Sequence, residues 1–100
     1  MTVSKELPNI KKPFSLLHFF LQKHGFKKTR REGEDVYEVW FEDVCTHREY
    51  CLVIPVQTFG EESTVRLKKA FFNESDIPSA IREAGRSKLK EIADYLHQIY

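Results

Sequence analysis

Cys45, His47 and Cys51 place three soft metal ligands within seven residues of each other. A tetrahedral zinc site needs four such ligands, commonly delivered as two short-spaced pairs, and the sequence holds no second pair. His18, His24 and His97 lie far along the chain and would have to fold over to complete it. Cysteines acting as small buried hydrophobes are the simpler reading, so no metal and no cofactor is expected. A Cys45–Cys51 disulfide is disfavoured if the compartment is reducing.

The carboxylates Glu32, Glu34, Asp35, Glu38, Glu42 and Asp43 are dense enough to raise divalent-cation binding or paired acid–base chemistry. Their expected positions, at strand ends and on an outer face, suit solubility and edge protection better. Nucleophilic catalysis has no Gly-x-Ser-x-Gly elbow and no cysteine in an activating setting. The glycines are isolated from one another, so no phosphate-cradling loop forms. The chain reads as non-enzymatic, with no catalytic residue to name.

Basic residues cluster in three places: Lys23, Lys27, Lys28, Arg30 and Arg31; Arg66, Lys68 and Lys69; and Arg82, Arg86, Lys88 and Lys90. If Lys27, Lys28, Arg30, Arg31, Arg86, Lys88 and Lys90 converged, they would make a phosphate-contact patch. The net charge is only +1, so any such attraction must be local. A solvated face balanced by nearby acids is the plainer alternative.

The elements that must carry these residues follow from periodicity. Pro13 suits a first helical turn, and Phe14, Leu17 and Leu21, supported by Leu16 and Phe20, form one apolar face ended by Gly25. Lys27–Arg31 and the turn residues after it predict either a short edge strand or a loop. Residues 36–41 alternate, with Tyr37, Val39 and Phe41 on one face and Val36, Glu38 and Trp40 on the other. Glu49–Phe59 is rich in β-branched and aromatic residues and predicts a strand buried on both faces, paired with the preceding one in a hairpin. Pro55 predicts an edge position or a bulge, because it has no N–H for a ladder. A third strand is expected from Thr64 to about Phe72.

Asn73–Asp76 is rich in capping side chains, and Ile77, Ile81, Leu89, Ile92, Leu96 and Ile99 fall near one stripe. Gly85 sits within that stripe. It predicts a break between two helices, with Ser87 capping the second, or else one helix that approaches the sheet closely; the break is the expected form. The fold class is therefore α+β: a helix, a three- or four-stranded antiparallel sheet, and a C-terminal helix or two helices broken near Gly85. Residues 1–12 are expected to be a partly ordered tail and 13–100 a single domain.

At 100 residues, with 41% hydrophobic and 31% charged, the chain suits one globular core rather than disorder. The N-terminus lacks a charged segment followed by an apolar one, and no apolar run approaches the roughly 18–20 residues of a membrane span. A cytoplasmic location without membrane contact is the expectation. Aromatic residues are plentiful, and two short helices leave the cover of a sheet's second face open: either the long C-terminal segment wraps round to cover it, or it is a partner surface. On the second alternative the apolar face of Trp40, Val53 and Phe59, with Phe71, is the expected protein-interaction surface, in a homodimer or with another protein. Nucleic-acid binding through the basic patch is the alternative. The element order is also that of the double-stranded RNA-binding domain, whose last helix Gly85–Lys90 resembles, but residues 73–84 intervene where that family has almost nothing.

The Tyr50-Cys51-Leu52-Val53-Ile54-Pro55 run, the Thr64-Val65-Arg66-Leu67 run and the late helix resemble the YugN-like family of small uncharacterised proteins of Bacillus and its relatives. The likeness covers about the middle half of the chain. It implies a cytosolic bacterial protein of unknown function, and it carries no catalytic residues over. The chain lacks the family's aromatic-Asp-Tyr pattern before the first long strand.

Overall fold

A computed structural model describes residues 11–59 and 64–98. The elements run β1 (Lys11–Pro13), α1 (Phe14–Lys23), β2 (Lys27–Arg31), β3 (Glu34–Glu42), β4 (Glu49–Phe59), β5 (Thr64–Leu67), β6 (Phe71–Phe72) and α2 (Ser79–Gln98). The fold is α+β, as the periodicities predict, but the antiparallel sheet has 6 strands in the order β1-β5-β4-β3-β2, with β6 paired to β4 beyond β5. β2 realises the edge-strand alternative for Lys27–Arg31, and the additional strands are β1 and the one made by dividing the expected third strand into β5 and β6.

α1 begins directly from the sheet. Pro13 closes β1 and takes the N-cap position with φ −57°, so its fixed geometry turns the chain into the helix. The helix ends in a paired-hydrogen-bond glycine cap. The Phe26 N–H donates to the Leu21 carbonyl at 2.9 Å and the Gly25 N–H to Gln22 at 3.0 Å. Gly25 at φ +89° supplies the left-handed turn, and Phe26 is buried beside it. The β2–β3 hairpin then turns through Glu32 and Gly33, both at positive φ, which matches the right-handed twist of the strands it joins.

β4 is the central strand. Along its length Val36 pairs with Pro55 and Glu42 with Glu49 on the β3 side, while β5 and β6 share the other side. Pro55 does not place β4 at an edge. Its carbonyl accepts the Lys68 N–H at 2.8 Å, just past β5, so its missing N–H faces the interruption between β5 and β6. Asn73 extends the second half of this broken strand. Its backbone N–H donates to the Cys51 carbonyl and its side-chain oxygen accepts the Cys51 N–H. Asn73 thus serves the sheet, and α2 starts later, with the Arg82 N–H bonded to the Pro78 carbonyl.

Both helices pack on one face of the sheet. Leu17, Phe20 and Leu21 of α1 and Ile81, Leu89, Ile92, Ala93 and Leu96 of α2 form one core with Tyr37, Tyr50, Leu52, Ile54 and Val56. Each fully buried Leu or Ile there contributes about 1.5–3 kcal/mol. α2 is continuous through Gly85, contrary to the expected break. A Cβ on Gly85 would lie 2.7 Å from the tip of the Phe72 ring, so the glycine lets the helix approach the sheet.

Candidate functional site

The face of the sheet opposite the helices is where the sequence-predicted surface residues meet. Val36, Cys51 and Val53 form a second small cluster there, with the partly buried Phe71 packed against it and no helix residue in it. Cross-strand pairing places Glu38 beside Val53 and Trp40 beside Cys51. Trp40 is 51% exposed although it sits mid-strand on this face. Phe59 ends β4, and its side chain lies outside the described residues.

Val53 is not a surface residue. It is 0% exposed, as is Cys51; Val53 is flanked by Phe71 on β6 and Glu38 on β3, and a salt bridge, not a helix, reaches Cys51. Arg31 reaches across from β2: its Nε donates to Glu38 Oε2 at 2.5 Å, and its Nη2 lies 3.8 Å from Cys51 Sγ. The Glu38 side chain is 15% exposed, so this is a part-buried pair. Its hydrogen bond to Glu38 holds the Arg31 guanidinium above its usual pKa. Burial, reinforced by the Glu38 charge, pushes the Cys51 thiol up to about 11. A neutral thiol in this setting is a packing group and a poor nucleophile.

Beside the pair, Arg31, Glu32, Glu34, Val36, Pro55 and Phe71 line an open groove of about 390 Å³. Its floor is apolar and its rim charged. Cys45 is exposed in the β3–β4 loop, where its N–H is held by Asp43 Oδ1, while the His47 ring lies 3.4 Å from Glu42. Cys45, His47 and Cys51 are thus engaged separately. Among the described residues no group of three or more His, Cys, Asp and Glu side chains is arranged to hold a metal ion.

The basic residues are divided by the pleat. Lys27 and Arg31 occupy register positions on the face of Glu38 and Glu34, whereas Lys28 and Arg30 stand beside Tyr37 and Asp35 on the helix face. Asp35 pairs with both Lys28 and Arg30, at 3.9 and 3.5 Å. Arg86 and Lys90 bind Glu83 and Asp94 on α2 itself, and Lys88 is half-buried on the same helix. The seven cations do not share one surface.

Sequence periodicity did not reveal a second exposed apolar area, on the outside of the helices. Phe19 is 64% and Tyr95 44% exposed, and the Tyr95 ring stacks on Phe20 at 4.1 Å. Leu16, Phe19, Phe20, Lys23, His24 and Tyr95 line a shallow depression of about 350 Å³ between α1 and α2. The position of Phe19 was the available signal, since two residues after Leu17 it lies about 200° around the helix, away from the Leu17 and Leu21 stripe.

No family model and no curated protein matches this sequence. The fold is similar to that of the uncharacterized conserved protein YugN from Geobacillus kaustophilus, in its crystal structure. The TM-score is 0.79 at 14% identity, over 93% of this chain and 91% of that one. The resemblance seen in the β4 and β5 sequences therefore extends through nearly the whole architecture.

Proposed function

We propose that this domain is a non-enzymatic protein-interaction module that pairs with a second copy of itself through the helix-free face. The observation that carries the reading is Trp40, half-exposed at mid-strand beside a small apolar cluster, where a lone folded protomer leaves a large ring in water. The patch has charges of both signs around it, Lys27 and Arg31 on β2 and the cross-strand pair Glu42 and Glu49 at the hairpin end. A two-fold interface joins a patch to itself, so it needs both signs within one patch.

The test follows Trp40 emission on dilution from high micromolar to nanomolar protein, with light-scattering mass on a sizing column. A dimer mass and a red shift on dilution support the reading, and Trp40→Glu should then be a folded monomer. A monomer mass with a constant spectrum overturns it. A dimer lost in Phe19→Glu but kept in Trp40→Glu would move the interface to the helices and equally overturn it. Binding of nucleic acid remains the weaker alternative, because its cations are split between faces and largely engaged by carboxylates.

A further inference from the structure

The two edges of the sheet differ. β1 is 3 residues long and ends in Pro13, which has no N–H to offer. β2 has 5 residues, pairs with β3 at every position without a bulge, and has no strand on its other side among the described residues. The tight Glu32–Gly33 turn is closed by Arg31 and Glu34. A two-residue turn is closed by a hydrogen-bonded pair, and such pairs alternate with non-bonded ones. Arg31, Thr29 and Lys27 therefore bond inward to β3, and Lys28 and Arg30 turn their N–H and C=O groups outward. The position of Pro55 agrees with this phase: opposite Val36, it needs no N–H toward β3, because Val36 bonds toward β2.

The side chains on this edge state what could pair with it. Lys27, Lys28, Arg30 and Arg31 are balanced by Asp35, shared between Lys28 and Arg30, and by Glu38, held by Arg31. β2 itself carries four cations and no carboxylate, and the acids that engage them lie across the hairpin on β3. Two copies of β2 pairing about Thr29 would set Lys28 against Arg30 and Lys27 against Arg31, so the charges oppose a second copy at this edge. They favour an extended acidic segment, whose backbone meets Lys28 and Arg30 while its carboxylates come to lie directly opposite the cations of β2, which carries no acid of its own. We propose that β2 is a docking edge for an acidic peptide in extended conformation, which adds to the sheet as a seventh strand. It uses backbone at the rim of the sheet and not the apolar surface, and of its side chains only Lys27 and Arg31 border the Trp40 face.

The probe is a capped, fluorescein-labelled peptide, Glu-Thr-Glu-Val-Glu-Thr-Glu, titrated with the full chain at low and high salt and read by anisotropy. Saturable binding that weakens with salt is expected, with slowed amide exchange at Lys28 and Arg30 and none added at Thr29. Arg30→Pro removes an outward N–H while leaving every bond to β3, and should weaken binding about tenfold or more. The double variant Lys28→Thr, Arg30→Thr keeps strand formers in place and should weaken it comparably if Arg30→Pro disturbs the hairpin. The same peptide methylated on alternate backbone nitrogens should not bind. The proposal is overturned if the peptide does not bind at low salt, or if the methylated peptide binds equally well. Tighter binding of a single-stranded oligothymidylate that Arg30→Pro leaves unchanged would also overturn it, by showing an electrostatic surface rather than a pairing edge.

Discussion

Gly85 and Phe72 are in a relationship that leaves no space for a side chain: a Cβ at Gly85 would meet the Phe72 Cζ at 2.7 Å and Cε2 at 3.1 Å. Phe72 is 3% exposed and held in β6 against Leu52, so its ring cannot swing into solvent. Alanine in place of a mid-helix glycine ordinarily gains up to about 1 kcal/mol. Overpacking a tight core costs about 1–3 kcal/mol, which outweighs that gain. Gly85→Ala should lower stability in urea unfolding, and Phe72→Leu should reverse its sign. A Gly85→Ala variant more stable than the parent would show that the ring yields easily.

The Arg31–Glu38 pair lies against Cys51, so removing it should be felt beyond the lost ion pair. Arg31→Ala leaves the Glu38 carboxylate part-buried without its partner and opens a path to Cys51. A loss on the order of 1–3 kcal/mol is expected. Thiol titration reports the second effect directly. In the parent protein Cys45, exposed in its loop, should react at once and Cys51 only slowly. In Arg31→Ala the slow phase should accelerate at denaturant concentrations where the protein is still folded. An unchanged slow phase would mean that Cys51 is shielded by its strand neighbours alone.

Much of this architecture was legible because the physical cause is local. The apolar spacing of Phe14, Leu17 and Leu21 with Gly25 behind them determines α1 and its end. The alternation through Tyr37 and Trp40 assigns the faces of β3 correctly. What escaped was caused at a distance. β1 is a strand only because Lys12 meets Val65 across the ladder, and three residues carry no period to read. Gly85 looks like a helix breaker, but its reason lies in Phe72 on another element. Val53 reads as a surface residue because no helix is expected over that face, yet Phe71, on a strand that periodicity does not separate from β5, pairs with it and packs on its cluster. Lys28 and Arg31, close in sequence, part company once β2 is a strand and not a loop.

Alkaline pH should destabilise the protein through two buried acids. Burial raises the Cys51 thiol from 9.0 to about 11, and burial with the Asp35 charge raises the Tyr37 hydroxyl from 10.0 to about 12. Tyr37 is also bonded to His18 Nδ1 at 2.7 Å. For each group the unfolded chain releases its proton at a lower pH than the folded chain does. Above pH 9 the unfolded state then binds fewer protons, and stability falls as pH rises. The thiol contribution is fully present below pH 9 and is lost on the way to about pH 11. Urea midpoints measured across that window should fall less steeply for Cys51→Ala than for the parent. Equal slopes would remove Cys51 from the account.

Trp40 and Val53 point to the same face and should behave oppositely when charged. Val53 is 0% exposed, and a carboxylate there would be buried beside the Glu38 carboxylate, whose partner Arg31 is already engaged. An uncompensated buried charge costs about 3–5 kcal/mol, a large share of the stability of a domain this size. Val53→Glu should therefore unfold or nearly unfold the chain, and it says nothing about association. Trp40 is half in water, so Trp40→Glu forfeits some packing but buries no charge. Far-ultraviolet circular dichroism with urea melts should show Val53→Glu disordered and Trp40→Glu folded within about 1–2 kcal/mol of the parent. A folded Val53→Glu would mean that its flanks, Phe71 and Glu38, open freely, and that the apolar floor between them is available to a partner after all.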